Sequence, residues 1–188
     1  FEDVLAHTTA MRHAALAESL AADGIDLNAE LLGRAQGLTF EAGIRRIRDA
    51  AGAPDDPTAV ELARLRAERA FAARLGKGIT LPVGLRASLE RLSTVARLAL
   101  VTRASRRDVE FVLQLAGLDG VFRPIIAQED AKAAKPARAP YDSALARVGE
   151  LFPGQVLRGV AVEDCVVGVR AARDAGLLTV LVGAHPPQ

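Results

Sequence analysis

The chain has 188 residues, half of them hydrophobic, and a formal net charge of +1. That length can bury a real core, as one ordinary domain or as one domain with a modest insertion. Near-neutral charge, with Arg interleaved among Asp and Glu, excludes the massed basic surface that nucleic acids or acidic membranes select, and no apolar run is long enough for a membrane-crossing helix.

Cys165 is the only cysteine, so neither an internal disulfide framework nor a cysteine zinc site can form. A reducing compartment, by default the cytoplasm, is expected.

From Thr8 to about Gly76 the sequence carries only helix signals, rich in Ala, Leu and Arg with few β-branched residues. Thr8 is a candidate cap for a helix ending near Gly24, and Asn28 for a short one reaching about Ala35. After Thr39, the apolar residues Phe40, Ile44, Ile47 and Ala51 recur at helical spacing and make one face; Pro54 stops that helix. Asp56 followed by Pro57 reads as the cap and first-turn proline of a longer helix running to Gly76. These signals predict a four-helix unit over residues 8–76, joined to the rest of the chain through GKGITLP (76–82).

Beyond Pro82 the rhythm changes to helices alternating with short continuous apolar runs: RLALVT (97–102), FRPIIA (122–127), VLRGVAV (156–162) and LLTVLV (177–182). Runs without polar alternation suit strands covered on both faces, as in a parallel sheet. The expected fold class is therefore α/β, a Rossmann-like three-layer parallel sheet built from residues 1–7 and 77–188, with the four-helix unit inserted.

Ligands of such sheets sit beyond the carboxyl ends of the strands. Thr102 ends the first run and Glu163 with Asp164 ends the third. Lys135 follows the second, in a loop that Pro136 and Pro140 would stiffen. Singly, each has a structural role available: Thr102 or Ser105 can cap the next helix, Lys135 can be a solvated loop lysine, and the two carboxylates can complement a helix dipole. Jointly they place a hydroxyl, an ammonium and two carboxylates on one rim. Thr102 can donate to a phosphoryl oxygen while Lys135 supplies positive charge. Asp164 offers a hard ligand to Mg²⁺, and Glu163 can hold a metal-bound water. The backbone N–H groups of Arg103 and Ala104 would complete a phosphate cradle.

In LALVTRAS, KPARAPY and VAVEDCVVGVRAARDAGL the chain resembles the haloacid dehalogenase-like hydrolases, specifically the phosphoglucomutase-like phosphatases with a helical cap. The resemblance covers essentially the whole chain and implies that residues 8–76 are the cap. It implies a nucleophilic aspartate and a second, acid/base aspartate in a D-x-D-G-[T/V]-L pattern. Aligning FEDVLAHT on that pattern through Val4 and Leu5 puts the nucleophile just before Phe1, Glu2 at the acid/base position, and Asp3 at the glycine. A first strand of roughly five to ten residues is accordingly expected upstream. Glu2 would also offer its backbone carbonyl to the metal.

In the cap, Gln36 and Phe40 stand where mutases of the family tend to carry Lys and Arg. Arg12 stands where many relatives have His, with His13 next to it. The implied activity is a Mg²⁺-dependent phosphatase of a small phosphorylated metabolite, working through an aspartyl-phosphate. A catalytically impaired phospho-ligand-binding module is the alternative, ahead of a sugar-phosphate mutase. Dehalogenation needs no Mg²⁺ site, so the Glu163–Asp164 pair counts against it. Clamping alone cannot supply the up to ~10²¹-fold acceleration that phosphate monoesters require.

Overall fold

The computed structural model describes residues 1–131, 133, 135, 137–154 and 158–183. Pro136 and residues 156–157 of the third apolar run lie outside the described residues. The chain divides into two compact units, Thr8–Gly78 and a second formed by Phe1–His7 with Ile79–Gln188.

The first unit contains α1 (Thr9–Ala21), α2 (Ala29–Ala35), α3 (Phe40–Ala50) and α4 (Pro57–Leu75). Their starts follow from local hydrogen bonding. Asn28 accepts from the Leu31 N–H and Thr39 from the Ala42 N–H, while Asp56 accepts from both Thr58 and Ala59. Each satisfies donors that the first helical turn cannot pair internally. Thr8 departs from its expected role. It occupies the cap position of α1, but its near-helical backbone (φ −114°, ψ −9°) gives no side-chain cap bond. A capping side chain needs an extended backbone to reach back to the turn.

The α/β unit contains α5 (Leu85–Ser93), β1 (Leu100–Val101), α6 (Arg106–Ala116), β2 (Ile125–Ile126), α7 (Ala139–Leu151), β3 (Val160–Glu163), α8 (Val166–Asp174) and β4 (Leu178–Leu181). β1 pairs with β2 and β3 with β4, both in parallel, as two separate two-stranded sheets. Pairing continues past the short first sheet: Arg123 donates to the Leu98 carbonyl and Thr102 to that of Ile126. One core cluster joins Leu5, Leu89, Leu100, Val109, Leu113 and Phe122; another joins Tyr141 to Ala161, Ala171 and Ala172.

Two features differ from a single, doubly covered sheet. The segment from Phe1 contributes only an isolated bridge between Glu2 and Ala6. On β3, Ala161 and Glu163 are buried, but Val160 and Val162 remain 61% and 46% exposed, and Leu178 and Val180 on β4 are exposed as well. Small residues of α8 pack on the inner face of β3. A run of apolar residues fixes a strand's composition but carries no information about what covers its second face.

The first unit also holds a partly buried charged network. Arg48, 8% exposed, donates to Asp23 at 3.0 Å and to the Pro54 carbonyl at 3.3 Å, and Arg66 donates to the other Asp23 oxygen at 2.6 Å. Asp23 thereby ties α3 and α4 to the turn after α1. Losing Arg48 would leave Asp23 to Arg66 alone and remove the donor to the Pro54 carbonyl. Arg48→Ala should therefore cost about 2–3 kcal/mol of stability, measured by urea unfolding monitored through helical circular dichroism.

Candidate active site

A small cleft, partly open to solvent, is lined by Phe1, Glu2, Val101, Thr102, Arg103, Lys135, Glu163, Asp164 and Cys165. It lies at the carboxyl ends of β1 and β3, the side where parallel sheets present ligand-binding loops. Glu2, Thr102, Arg103, Lys135, Glu163 and Asp164 are thus brought together from four stretches of chain. Ala104 is buried behind the wall and is not among the lining residues.

Thr102 is nearly fully buried, and its Oγ1 accepts from the Ala104 N–H at 3.1 Å. The Ala104 amide is thereby spent on the threonine, and the hydroxyl proton remains available for donation. Ser105, rather than Thr102, caps α6 by accepting from the Asp108 N–H. Helix α6 begins at Arg106, so Arg103 and Ala104 precede its first turn.

Lys135 and Glu163 form a buried ion pair, the two side chains 6% and 7% exposed. Lys135 Nζ also reaches the Val101 carbonyl at 3.5 Å and the Tyr141 hydroxyl at 3.3 Å, and lies 4.9 Å from the centre of the Tyr141 ring. The Tyr141 hydroxyl donates to the same Glu163 oxygen that pairs with Lys135. Burial opposes the Glu163 charge, but Lys135 and these hydrogen bonds outweigh it and hold the carboxyl below its ordinary range. Burial, reinforced by the Glu163 charge, pushes the Tyr141 phenol far up. Tyr141 is therefore a hydrogen-bond donor and never an anion here.

A Cβ at Gly168, on the first turns of α8, would overlap the Glu163 carboxylate. The helix can approach the acid this closely only because position 168 has no side chain. Asp164 and Cys165 lie just before α8. Burial first, then the neighbouring Asp164 charge, pushes the Cys165 thiol up, so it is a poor nucleophile. Glu2 stands opposite, its carboxylate 3.6 Å from the Arg103 guanidinium. The Phe1 nitrogen is buried in the field of Lys135, Glu163, Asp164 and Glu2.

For a metal, ligand atoms of Glu163, Asp164 and Cys165 lie within 4.8 Å of one another. The oxygens suit a hard ion such as Mg²⁺, which needs only one or two carboxylates beside water and phosphate; the sulfur does not. With Glu163 engaged by Lys135 and Tyr141, Asp164 is the carboxylate best placed to serve. The donor set fits Mg²⁺.

Of the cap positions singled out in the sequence, Phe40 packs inward, edge-on to Phe71 with centroids 5.7 Å apart. The Arg12 guanidinium covers the Phe40 ring at 3.9 Å and donates to the Leu38 carbonyl. Gln36 is exposed.

The family model for haloacid dehalogenase-like hydrolases matches residues 2–176. The chain belongs to this family. No curated protein matches the sequence, but solved structures do. CbbY from Rhodobacter sphaeroides, in complex with phosphate, is 25% identical with a TM-score of 0.81, covering 98% of this chain and 84% of its own. The β-phosphoglucomutase PgmB from Clostridium difficile is 18% identical, with a TM-score of 0.83 and coverage of 97% and 81%. A protein from Haemophilus somnus 129PT described as a predicted phosphoglycolate phosphatase is 20% identical, with a TM-score of 0.77 and coverage of 94% and 80%. A haloacid dehalogenase-like fold with an α/β core is thereby established.

Sequence inspection assigned no role to Tyr141 or Gly168. Tyr141 falls six residues after Lys135, on the first turn of α7, and Gly168 five after Glu163; both lie inside motifs recognised for other residues. Gly168→Ala should therefore force the Glu163 carboxylate from its place, costing about 1–3 kcal/mol. Urea unfolding checks the loss, which should be larger than that of Gly33→Ala in α2, where an added Cβ meets nothing within 4 Å.

Proposed function

We propose that this haloacid dehalogenase-like hydrolase is a Mg²⁺-dependent phosphatase of a small phosphorylated metabolite, acting in the cytoplasm. The observation that carries the reading is the convergence of Thr102, Lys135, Asp164 and Glu2 on one cleft. In this reading Thr102 donates to a phosphoryl oxygen, and Lys135, held by Glu163 and Tyr141, places fixed positive charge beside another. The Arg103 N–H completes the contact with the phosphate, with Ala104 acting through Thr102. Asp164 and the backbone carbonyl of Glu2 hold Mg²⁺, with Glu163 behind them.

When bound, Mg²⁺ supplies the Lewis-acid charge that offsets the phosphoryl oxygens. The attacking carboxylate is proposed on an aspartate immediately preceding Phe1, forming an aspartyl-phosphate. Glu2 then serves as proton donor and acceptor; its ordinary pKa is close to that of aspartate, while its extra methylene displaces the carboxyl by about one C–C bond. The helical unit is proposed as the cap, with Arg12 and Gln36 as the side chains that meet substrate and Phe40 supporting Arg12.

Hydrolysis of a panel of phosphorylated metabolites and of an aryl phosphate, with and without Mg²⁺, tests this reading on the full-length protein. Activity is expected only with the metal; no release of phosphate from any ester would overturn it. Asp164→Asn should raise the Mg²⁺ concentration required for half-maximal activity at least tenfold. Lys135→Met should weaken inorganic phosphate binding about tenfold or more, because it removes the fixed positive charge beside the phosphate. It should also destabilise the fold by about 3 kcal/mol by leaving Glu163 uncompensated. In Lys135→Met/Glu163→Gln most of the stability should return while phosphate binding remains weak. Calorimetric titration and urea unfolding separate the two effects.

A further inference from the structure

The two groups read as the phosphate clamp reach the cleft on different stretches of chain, Thr102 from the end of β1 and Lys135 from the segment after β2. The Lys135 ammonium is tied to Glu163 and Tyr141, while its link to β1, the Val101 carbonyl, is long at 3.5 Å. Among the described residues β1 and β3 belong to separate two-stranded sheets, so strand pairing does not fix Thr102 relative to that lysine. A second set of bonds, away from the residues that line the cleft, joins the two stretches. The Gln128 N–H donates to the Ala104 carbonyl at 3.0 Å, and both Glu129 oxygens accept from the Arg106 N–H, at 3.2 and 3.0 Å. The Arg106 guanidinium reaches back, its Nη2 donating to Asp130 Oδ2 and to the Ile125 carbonyl. The same Asp130 oxygen accepts from the Ala127 N–H at 2.8 Å. Glu129 thus sets a carboxylate on the first amide of α6, where the helix dipole favours it. Asp130 closes the turn from which the chain leaves for Lys135, five residues on.

We propose that Asp130 is a positioning residue for the phosphate site: through Arg106 and the Ala127 amide it latches the segment after β2 to the segment after β1, and so sets the spacing between Thr102 and Lys135. The ion pair is partly exposed, 40% for Arg106 and 31% for Asp130, so it contributes little to the stability of the unit. Its geometry is nonetheless specific, because one carboxylate oxygen takes a guanidinium and a backbone amide together. Two groups that hold one phosphate must match its oxygens closely, and a misplacement on the order of 1 Å can cost about a hundredfold. The latch therefore acts on ligand affinity far more than on folding. This inference rests on reading the cleft as the phosphatase site.

Calorimetric titration with inorganic phosphate at saturating Mg²⁺, beside urea unfolding, tests it on the full-length protein. Asp130→Ala should weaken phosphate about tenfold while the unfolding midpoint stays close to that of wild type. Asp130→Asn, which keeps an acceptor for the Ala127 N–H, should hold an intermediate affinity. Arg106→Met should resemble Asp130→Ala, and the double variant should bind phosphate no more weakly than the weaker single one, because both changes remove the same latch. The Mg²⁺ concentration for half-maximal activity should not move, since Asp164 follows β3 on the other sheet. As a control, Asp142→Ala, which removes an exposed ion pair with Arg138 on α7, should leave phosphate affinity unchanged. Circular dichroism establishes that each variant is folded; if Asp130→Ala is not, Asp130→Asn and Arg106→Met carry the comparison. Wild-type phosphate affinity in the folded variants, or additive losses in the double variant, overturns the proposal. If phosphate binds in an Asp130-dependent way but no ester is hydrolysed, the phosphatase reading fails and the positioning role stands. If wild type binds no phosphate, both fail.

Discussion

The buried pair of Lys135 and Glu163 is the constraint around which the α/β unit is organised. Withdrawing two such charges from water costs several kcal/mol per ion, and their attraction repays this only when the remaining hydrogen-bonding capacity is also met. Here two elements meet it, and a third packs close against the pair. Val101 brings its carbonyl from the end of β1, Tyr141 its hydroxyl from the first turn of α7, and Gly168 permits α8 to close against the carboxylate. Tyr141 also belongs to the core cluster with Ala161, Ala171 and Ala172. The apolar packing that places α7 and α8 on β3 and the polar network that fixes the lysine are therefore one structure.

What was legible in the sequence follows the range of the forces involved. Asn28, Thr39, Asp56 and Ser105 cap helices through bonds spanning two or three residues, and such bonds are readable from neighbours in the chain. Thr8 has the right chemistry and the wrong backbone angles; its torsions are set by the chain on either side. The strand positions were legible from apolar runs, and the strand ends pointed to Thr102, Glu163 and Asp164 because the geometry of parallel sheets puts ligands there. Which side chain would pair with which was not legible. The Glu163 and Tyr141 partnership joins positions 22 residues apart, and residue identity alone did not suggest that a tyrosine within a lysine motif serves a carboxylate on another element. Phe40 illustrates the converse: the same helical spacing that marks a face also marks a core, and here the core contact with Phe71 prevails.

Asp3 joins the sequence pattern to the backbone. Aligned on the family pattern, it takes the place of a glycine, and in the structure it is the non-glycine residue with positive φ, at 53°. Among L-residues, aspartate and asparagine enter this region at the least cost, because a short polar side chain can bond locally. Its N–H donates to the Ala6 carbonyl at 2.7 Å and the Val4 N–H to that of Glu2 at 2.7 Å. The tight turn thus survives without its usual residue, and it carries Glu2 into the cavity wall.

The charge balance of that wall ties these features to the proposed chemistry. Among the described lining residues, Arg103 and Lys135 stand beside Glu2, Glu163 and Asp164, so these side chains alone leave an excess of negative charge. A phosphate dianion entering such a space would meet net repulsion, strengthened by the low dielectric of a partly enclosed site. A divalent cation held by Asp164, as proposed, would reverse the sign of the local field and turn that carboxylate from an obstacle into a ligand. The surplus of acid is therefore intelligible as the resting half of a site completed by a metal and an anion arriving together, which is why neither carboxylates nor cations alone define what it binds.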